Sequence, residues 1–401
     1  MNRREVKSAP VLRFKGFTND WEQRKLGDIS EIIRGASPRP ISDPKWFNSN
    51  SNIGWLRISD VTAQHGRIQH LSQHISILGQ AKTRVISTPH LLLSIAASVG
   101  YPVINYVKTG VHDGFLIFEN PKFNIDFGFY WLAFYKHEWQ KFGQPGSQVN
   151  LNSSIVKKTN IGLPDNVEQK AIVHLLKLID NRITLQQRKL ELLSLIKKTI
   201  IKHLFKLKNS DSLNLKFKTS CSQWNSKKLG EIAKFINGRA FKQSELLNKG
   251  KYPVLRVGNF YTNDKWFYSD LNLNKNKYAD KGDLLYTWSA TFGPHIWKGP
   301  KVIFHYHIWK IDFDPSTVNK TFLFYFLEAD KENLLTNSNG STMIHITKSN
   351  MENKIINLPQ FSIQQNIGTF LSNLDYLINQ VKIKSKQLIQ LKRFLLQNMF
   401  I

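Results

Sequence analysis

The chain is a tandem duplication. A pattern that begins Trp21, Leu26, Gly27 recurs as Trp224, Leu229, Gly230, at a constant offset of 203 residues (21 to 224). Each copy later reaches a Leu-Pro pair, at 163–164 and 358–359, now at an offset of 195 (164 to 359). The apolar positions that follow each pair match without a gap. Similarity kept in register over such a length predicts two copies of one structural unit.

A long amphipathic helix is predicted after each Leu-Pro pair. Residues 165–208 contain neither glycine nor internal proline, and a helix of that length would span roughly 65 Å. Its apolar residues recur in steps of three and four, which predicts a seam for a second helix. The predicted pairing residues are Ile172, Leu176, Ile179, Ile183 and Leu193 in the first helix, with Ile367, Leu371, Leu374, Ile378 and Leu388 in the second. Ile196 and Leu391 continue the two stripes.

These patterns predict an α/β (α+β) chain. We expect two similar domains, each followed by a long helix, with the two helices pairing with each other as a coiled coil. The alternative is that each helix packs on its own domain alone. The predicted segments are an N-terminal arm (1–20), a first domain (21–164), a central helix (165–208), a linker (209–223), a second domain (224–359) and a C-terminal helix (360–401).

The charge balance favours a polyanionic partner. Lys and Arg total 56 against 29 for Asp and Glu, a net charge of +27, and nucleic acid is the first candidate for such a surface. Solvated lysine-rich surfaces without a partner are the alternative. The single cysteine excludes an internal disulfide framework and a cysteine-ligated zinc cluster. The N-terminus lacks a secretory apolar run, and no stretch is long enough to span a membrane. We therefore expect a cytoplasmic protein without membrane contact.

The sequence carries no recognisable catalytic motif. Neither a Walker motif nor G-x-G-x-x-G is present, and the absence of any Pro-Pro argues against a self-contained adenine methyltransferase. Asp165, Glu168 and Lys170 resemble a nuclease site, but their spacing at a helix start predicts a capping box. His305 and His307 match His112 and Gly114 of the first copy, so a zinc site is not expected. The chain is predicted to be non-catalytic and to bind no cofactor itself.

Taken together, the motifs resemble the specificity (S) subunit of bacterial type I restriction-modification enzymes. The resemblance rests on the Trp-x-x-x-x-Leu-Gly-[Asp/Glu]-Ile start, and on Glu168-Gln169 followed by Ile172 and Asp180, with the whole unit occurring twice. The second copy departs from it, because Ile363 replaces the glutamate. The resemblance implies two target recognition domains that each read half of a split, asymmetric site in double-stranded DNA. It also implies that the two long helices pair antiparallel, which relates the two domains by a pseudo-twofold axis. The antiparallel coiled coil would act as a spacer and as the docking surface of the partner subunits.

The implied partners are two methyltransferase (M) subunits and two restriction (R) subunits. In such an enzyme the M subunits bind S-adenosylmethionine, and the R subunits bind ATP and Mg²⁺. Two other classes remain open at this point. One is a stand-alone bipartite DNA-binding regulator, and the other is a nuclease whose site the motif search misreads.

Comparison of the two copies ranks the candidate DNA-binding residues. Arg57 and Arg256 occupy matching positions, so they predict either phosphate contact or a buried ion pair. Divergent loops predict base readers, and Gln148 is the preferred one because its amide can pair with adenine. The remaining candidates lie in the loops 36–50 and 239–251 and around the two Gly-Ser pairs: Arg39, Lys45, Gln144, Ser147, Asn150, Arg239, Lys242, Ser338, Ser341 and Thr342.

Overall fold

The structure is a computed structural model that describes residues 9–96, 99–139, 151–205, 224–261, 263–289, 291–337 and 346–401. The chain divides into two compact units. Unit 1 consists of Met1–Gln187 and Ile383–Ile401, and unit 2 consists of Arg188–Lys382. Each unit therefore contains one recognition-type domain together with segments of both long helices.

The described part of unit 1 is built from short strands and helices. Its strands are β1 (Glu22–Lys25), β2 (Glu31–Arg34), β3 (Gly54–Trp55), β4 (Arg67–Ile68), β5 (Arg84–Ile86), β6 (Leu91–Ser94), β7 (Pro102–Asn105), β8 (Thr109–Val111), β9 (Phe115–Glu119) and β10 (Asn160–Leu163). Its helices are α1 (Leu26–Ile29), α2 (Ile58–Ala63), α3 (Ile77–Gln80), α4 (Ile125–Trp139), α5 (Ser153–Lys158) and the start of α6 (Asn166–Leu204).

The described strands of unit 1 form three sheets. The five-stranded sheet has the order β2-β9-β6-β7-β4, the three-stranded sheet the order β3-β8-β5, and β1 pairs with β10. Strands β6, β7 and β9 are almost wholly buried, and helix α4 packs against β6 and β7. The aromatic residues Phe127, Tyr130 and Trp131 of α4 lie in that core. The β1–β10 ladder places the Trp21 motif next to the Leu-Pro pair, since Glu22 faces Leu163.

Unit 2 repeats this plan with different strand lengths. Its strands are β11 (Asn225–Lys228), β12 (Ala233–Asn237), β13 (Tyr252–Leu255), β14 (Phe267–Ser269), β15 (Tyr278–Ala279), β16 (Leu284–Thr287), β17 (Gly293–Ile296), β18 (Val302–Phe304), β19 (Ile308–Phe313) and β20 (Ile355–Leu358). Its helices are α7 (Leu229–Ile232), α8 (Lys320–Asn337), α9 (Lys348–Glu352) and the start of α10 (Phe361–Asn398). The sheet orders are β12-β19-β16-β17, β14-β13-β18-β15 and β11-β20. The predicted α/β class and the two long helices are confirmed.

A glutamine anchors the start of each long helix to its own domain. The side chain of Gln169 accepts a hydrogen bond from the backbone N–H of Asn124 (2.9 Å) and donates one to the carbonyl of Pro164 (3.0 Å). Gln364 makes the same two bonds, with Asn319 and Pro359, both at 2.9 Å. Each helix is thus fixed to the domain that precedes it in sequence.

The predicted capping box of α6 is half wrong. Asp165 does cap the helix, because its carboxylate accepts a hydrogen bond from the backbone N–H of Glu168 at 2.8 Å. The carboxylate of Glu168 instead accepts two bonds from Arg13, at 2.7 and 2.8 Å, and one from the Trp21 indole at 3.2 Å. A partner 155 residues away therefore takes the place of the local backbone donor that the spacing predicts.

Each long helix ends in the unit opposite to the one in which it begins. In unit 1, Phe400 packs on Trp21, Phe127 and Phe134, with ring centroids 5.4–6.5 Å apart. In unit 2, Phe205 packs on Phe322 and Phe326 at 5.3 and 5.9 Å. Because α6 runs from unit 1 into unit 2 and α10 runs from unit 2 into unit 1, their segments are antiparallel within each unit.

Most of the predicted pairing residues are buried. Ile172, Leu176 and Ile179 share the unit 1 core with Leu395 and Met399, and Ile367 and Leu371 share the unit 2 core with Ile201 and Phe205. Leu374 and Ile378 are also buried, whereas Ile183, Leu193 and Leu388 are half-buried.

The predicted stripe fails at Ile196 and Leu391, which are 47% and 43% exposed. The buried apolar residues of α6 end at Ile179 and resume at Ile201, which lies 29 residues after Ile172 (172 to 201), one more than four heptads. A straight helix has 3.6 residues per turn rather than 3.5, and this drift turns Ile196 outward. Leu391 is exposed at the matching place in α10.

Candidate nucleic-acid interface

In unit 1 the predicted recognition loop 36–50 lies against the turn between β8 and β9. A Cβ atom on Gly35 would lie 2.2 Å from the carbonyl oxygen of His112, so only glycine permits this approach. The next residue, Ala36, donates its N–H to the carbonyl of Val111 at 3.0 Å. The loop therefore leaves β2 directly over residues 112–114, a contact that the sequence does not predict.

Asp113 organises the cationic side chains at this turn. Its carboxylate accepts hydrogen bonds from Ser37 (2.8 Å) and Arg39 (2.6 Å), and its carbonyl accepts one from Arg34 (2.6 Å). Burial alone would raise the pKa of Asp113, but the Ser37 bond and the charges of Arg39 and Arg34 outweigh it and lower that pKa. The Arg39 side chain is 71% exposed, so its guanidinium is held in place yet open to solvent.

In unit 2 the corresponding turn, residues 305–307, carries rings instead of an acid. Gly238 makes the same close approach, 2.2 Å from the carbonyl oxygen of His305. Tyr306 and His307 lie 3.8 Å apart between ring centroids, and Trp288 lies 5.0 Å from His307. The Trp288 indole donates to the Tyr306 carbonyl at 2.9 Å. One position of the shared fold thus presents an acid–arginine group in one domain and a neutral aromatic group in the other.

The arginine and lysine candidates of the two loops differ in how they are held. Arg239 pairs with Glu245, and its guanidinium lies 5.6 Å from the centre of the Phe241 ring. Lys45 pairs with Asp43 at 2.8 Å and lies 4.5 Å over the ring of Trp46. Lys242 is exposed, and its ammonium makes no hydrogen bond or ion pair with the residues that the structure describes.

Arg57 and Arg256 hold matching places but make different contacts. Both precede a short helical turn, and their backbone N–H groups donate to Asp60 and Asn259 at 3.0 Å. The Arg57 guanidinium also bonds Asp60 at 3.1 Å and Ser72 at 2.7 Å, and the bond to Asp60 raises the pKa of Arg57. Arg256 instead lies 4.4 Å over the Phe267 ring. Both side chains support the local fold, and a phosphate contact stays a prediction.

The remaining candidates fall outside the described residues. They are Gln144, Ser147, Gln148, Asn150, Ser338, Ser341 and Thr342.

The histidines of these turns are packed among aromatic side chains. His112 lies 5.8 Å from Trp55 and 4.8 Å from Phe115, and its Nδ1 accepts a hydrogen bond from the N–H of Gly114. Burial lowers the pKa of His112, and it lowers that of His305 to about 4, with the charges of His307 and Arg256 adding to the effect. Across the described residues, no group of three His, Cys, Asp or Glu side chains is arranged to hold a metal ion.

Burial of neutral histidines predicts a pH dependence of stability in unit 2. Burial lowers the pKa of His295 to about 4, and Lys331 adds to this. Since the unfolded value is near 6.5, the stabilisation is complete above pH 6.5 and is lost as the pH falls towards 4. We expect the melting temperature to fall between pH 7 and 5 less steeply in His295→Gln than in the unsubstituted chain. Exposed His137 is the control position, where substitution leaves the pH slope unchanged. Identical slopes in all three proteins would contradict the prediction.

Comparison with known proteins identifies the family. The sequence matches the type I restriction modification DNA specificity domain twice, over residues 18–195 and 221–392. This fold of two recognition-type domains and two shared long helices is that of an S subunit, and the chain belongs to the type I restriction-modification DNA specificity family. The resemblance inferred from the sequence is therefore confirmed.

Individual relatives agree with this assignment over nearly the full length. The type I restriction enzyme MjaIX specificity subunit of Methanocaldococcus jannaschii is 24% identical, covering 93% of this chain and 90% of the relative. The S subunit structure from M. genitalium superposes with a TM-score of 0.61 at 16% identity, covering 98% and 99% of the two chains. A chain from a structural study of complex assembly in the type I R-M system gives 0.59 at 18% identity, covering 94% and 96%. Both structures support the fold.

Helices long enough to cross a bilayer are too polar to do so throughout the part of the chain that the structure describes.

Proposed function

We propose that this chain is the DNA recognition subunit of a type I restriction-modification complex and reads a bipartite, asymmetric site in double-stranded DNA. The observation that carries the proposal is the shared loop–turn position of the two domains. There Arg39 and Asp113 of unit 1 correspond to Lys242 and Tyr306 of unit 2, and Arg239 stands at the place of Ala36. Two domains of one fold with different side chains at one surface position suit two half-sites of different sequence.

The cationic residues divide into two proposed roles. Arg39, Lys45, Arg239 and Lys242 lie in the divergent loops and would contact bases or the phosphates beside them. Arg57 and Arg256 occupy matching positions, so each would contact a phosphate of its own half-site. Each neutralised phosphate releases counterions, and binding would weaken steeply with salt.

The partners would dock on the long helices. Leu178, Leu185 and Leu192 recur every seven residues along α6 and are 47–65% exposed. An exposed apolar stripe of this spacing fits a helix from another subunit. We assign that face to two M subunits, which would bind S-adenosylmethionine and methylate adenine. Two R subunits would supply ATP- and Mg²⁺-dependent cleavage. The chain itself would be non-catalytic and act in the cytoplasm.

Exchange of one domain tests this assignment. Residues 21–163 are replaced by the same region of another S subunit, and the chimera is expressed with its M subunits. Mapping of N6-methyladenine is expected to show one new half-site and one unchanged half-site. Exchange of residues 224–358 is the matched control and changes the other half-site. Alteration of both halves by either exchange would contradict the assignment of one domain to one half-site.

A further inference from the structure

A three-residue cluster links domain, helix and opposite helix in unit 1. The Asp180 carboxylate of α6 accepts a hydrogen bond from the Tyr130 hydroxyl of α4 at 2.8 Å. Its other oxygen lies 2.6 Å from the ammonium of Lys392 in α10. That ammonium also lies 5.7 Å from the centre of the Tyr130 ring. One carboxylate therefore ties the recognition domain to its own helix and to the helix of the other repeat.

Unit 2 contains the same cluster with the repeats exchanged. The Asp375 carboxylate of α10 accepts from the Tyr325 hydroxyl of α8 at 2.6 Å and lies 2.7 Å from the ammonium of Lys197 in α6. Lys197 lies 5.2 Å from the Tyr325 ring and also contacts Glu328 at 3.3 Å. Tyr, Asp and Lys each keep the offset of 195 from their counterparts in unit 1 (130 to 325, 180 to 375, 197 to 392).

The environment of Lys197 favours its charged form. Burial alone would lower the pKa of Lys197, but its bond to Asp375 and the charge of Glu328 outweigh burial and raise that pKa. The side chain is only 18% exposed, so little water competes for the contact.

We infer that these two clusters, Tyr130–Asp180–Lys392 and Tyr325–Asp375–Lys197, fix the register in which the long helices pair. An apolar stripe repeats every three or four residues, so a helix displaced by one or two turns can bury nearly the same area. A polar group at one place in the interface removes that degeneracy. A slip of one turn moves each lysine by about 5.4 Å, which leaves both carboxylates without their ammonium. The clusters are positioning residues, because they would act on DNA recognition only through the placement of the domains.

The inference deepens the proposed function, since helix register would set the separation of the two half-sites. It can nevertheless be tested without DNA. Asn181 of α6 and Gln390 of α10 are exposed and lie within unit 1. Spin labels on cysteines at these two positions, in a full-length Cys221→Ser background, report the register as a distance distribution from pulsed electron resonance.

Charge reversal gives the decisive comparison. Asp180→Lys is expected to broaden or split the distance distribution and to lower the melting temperature by about 2–4 °C. Asp180→Lys with Lys392→Asp restores the attraction and is expected to restore the single distance. Asp180→Lys with Lys197→Asp breaks both clusters and is expected not to restore it. This last variant also tests for pairing between two copies of the chain. Position 197 could meet position 180 only in a dimer in which α6 of one copy pairs with α6 of the other.

The possible results separate the inference from the proposed function. A single unchanged distance in Asp180→Lys would overturn the register role, whatever the chain binds. Rescue by Lys392→Asp but not by Lys197→Asp supports it. Lys189→Glu, on the exposed surface of α6, is the control for charge change alone and should leave the distance unaltered. If the distances behave as expected but methylation mapping of the same variants finds no bipartite motif, the proposed function fails and the register assignment stands.

Discussion

Replacement of Arg13 by methionine is expected to destabilise unit 1 by about 3 kcal/mol. The Glu168 carboxylate is only 1% exposed and accepts both of its charge-assisted bonds from the Arg13 guanidinium. Loss of the arginine leaves a buried charge with the Trp21 indole as its remaining side-chain donor. Removal of one partner from a buried ion pair costs far more than the pair itself contributes.

The second repeat supplies the matched rescue. Ile363 stands where Glu168 stands in the first repeat, and the helix forms without the acid. Arg13→Met combined with Glu168→Ile is therefore expected to recover most of the lost stability, because no charge remains buried. Arg24→Met removes the exposed Arg24–Glu22 pair, whose side chains are 51% and 64% exposed, and should change stability by less than about 0.5 kcal/mol.

Native-state hydrogen exchange of α6 and α10 measures these changes locally. It reports the free energy of opening for each segment. We expect faster exchange in the first turns of α6 in Arg13→Met, and near-normal exchange in the double variant. An Arg13→Met chain with the exchange rates of Arg24→Met would show that the pair is not important for stability.

The sequence predicts the fold well because a repeat and a helical period are local patterns. Both α6 and α10 begin two residues after a Leu-Pro pair, as the periodicity requires. Glu168 shows the limit of such reasoning. Its spacing from Asp165 is that of a capping box, and no local pattern reveals that Arg13 competes for its carboxylate. Tertiary contacts of this kind override a local preference.

The candidate interface is less predictable from sequence. The loops 36–50 and 239–251 stand out because the two copies diverge there, but their contact with the turns 112–114 and 305–307 depends on the approach of Gly35 and Gly238. Asp113 escapes notice, because an acid is not an obvious part of a DNA-binding surface. The structure shows that it holds Arg39 in place.

The repeat offset does indicate which residues form the two Tyr–Asp–Lys clusters. Identical residues at an offset of 195 include Tyr130 and Tyr325, Asp180 and Asp375, and Lys197 and Lys392. The sequence cannot show that each lysine belongs to the opposite repeat's aspartate. That exchange depends on the helices being antiparallel within each unit, which spacing along one chain does not determine.

Matched insertions in both long helices are expected to lengthen the spacer of the recognised DNA site. Asp180 and Lys197 lie 17 residues apart on α6 (180 to 197), and Asp375 and Lys392 lie 17 apart on α10 (375 to 392). Duplication of residues 184–187 in α6 and of 383–386 in α10 keeps these separations equal, so both clusters can form. Four residues add about 6 Å along the helix axis and ~40° around it. At about 3.4 Å per base pair of DNA, the expected motif keeps both half-sites and gains one or two base pairs between them.

Insertion in α6 alone is the control that makes this result informative. It separates Asp180 from Lys197 by four further residues while the distance along α10 stays unchanged, so one cluster must open or the helix must buckle. We expect the single insertion to give weaker methylation than the matched pair of insertions when both are mapped with the same M subunits. An active variant with both insertions that methylates the original spacing would show that the helices do not set the distance between half-sites. Equal methylation by the two variants would show that the lengths of α6 and α10 need not match. The register of the helix pair would then not determine activity.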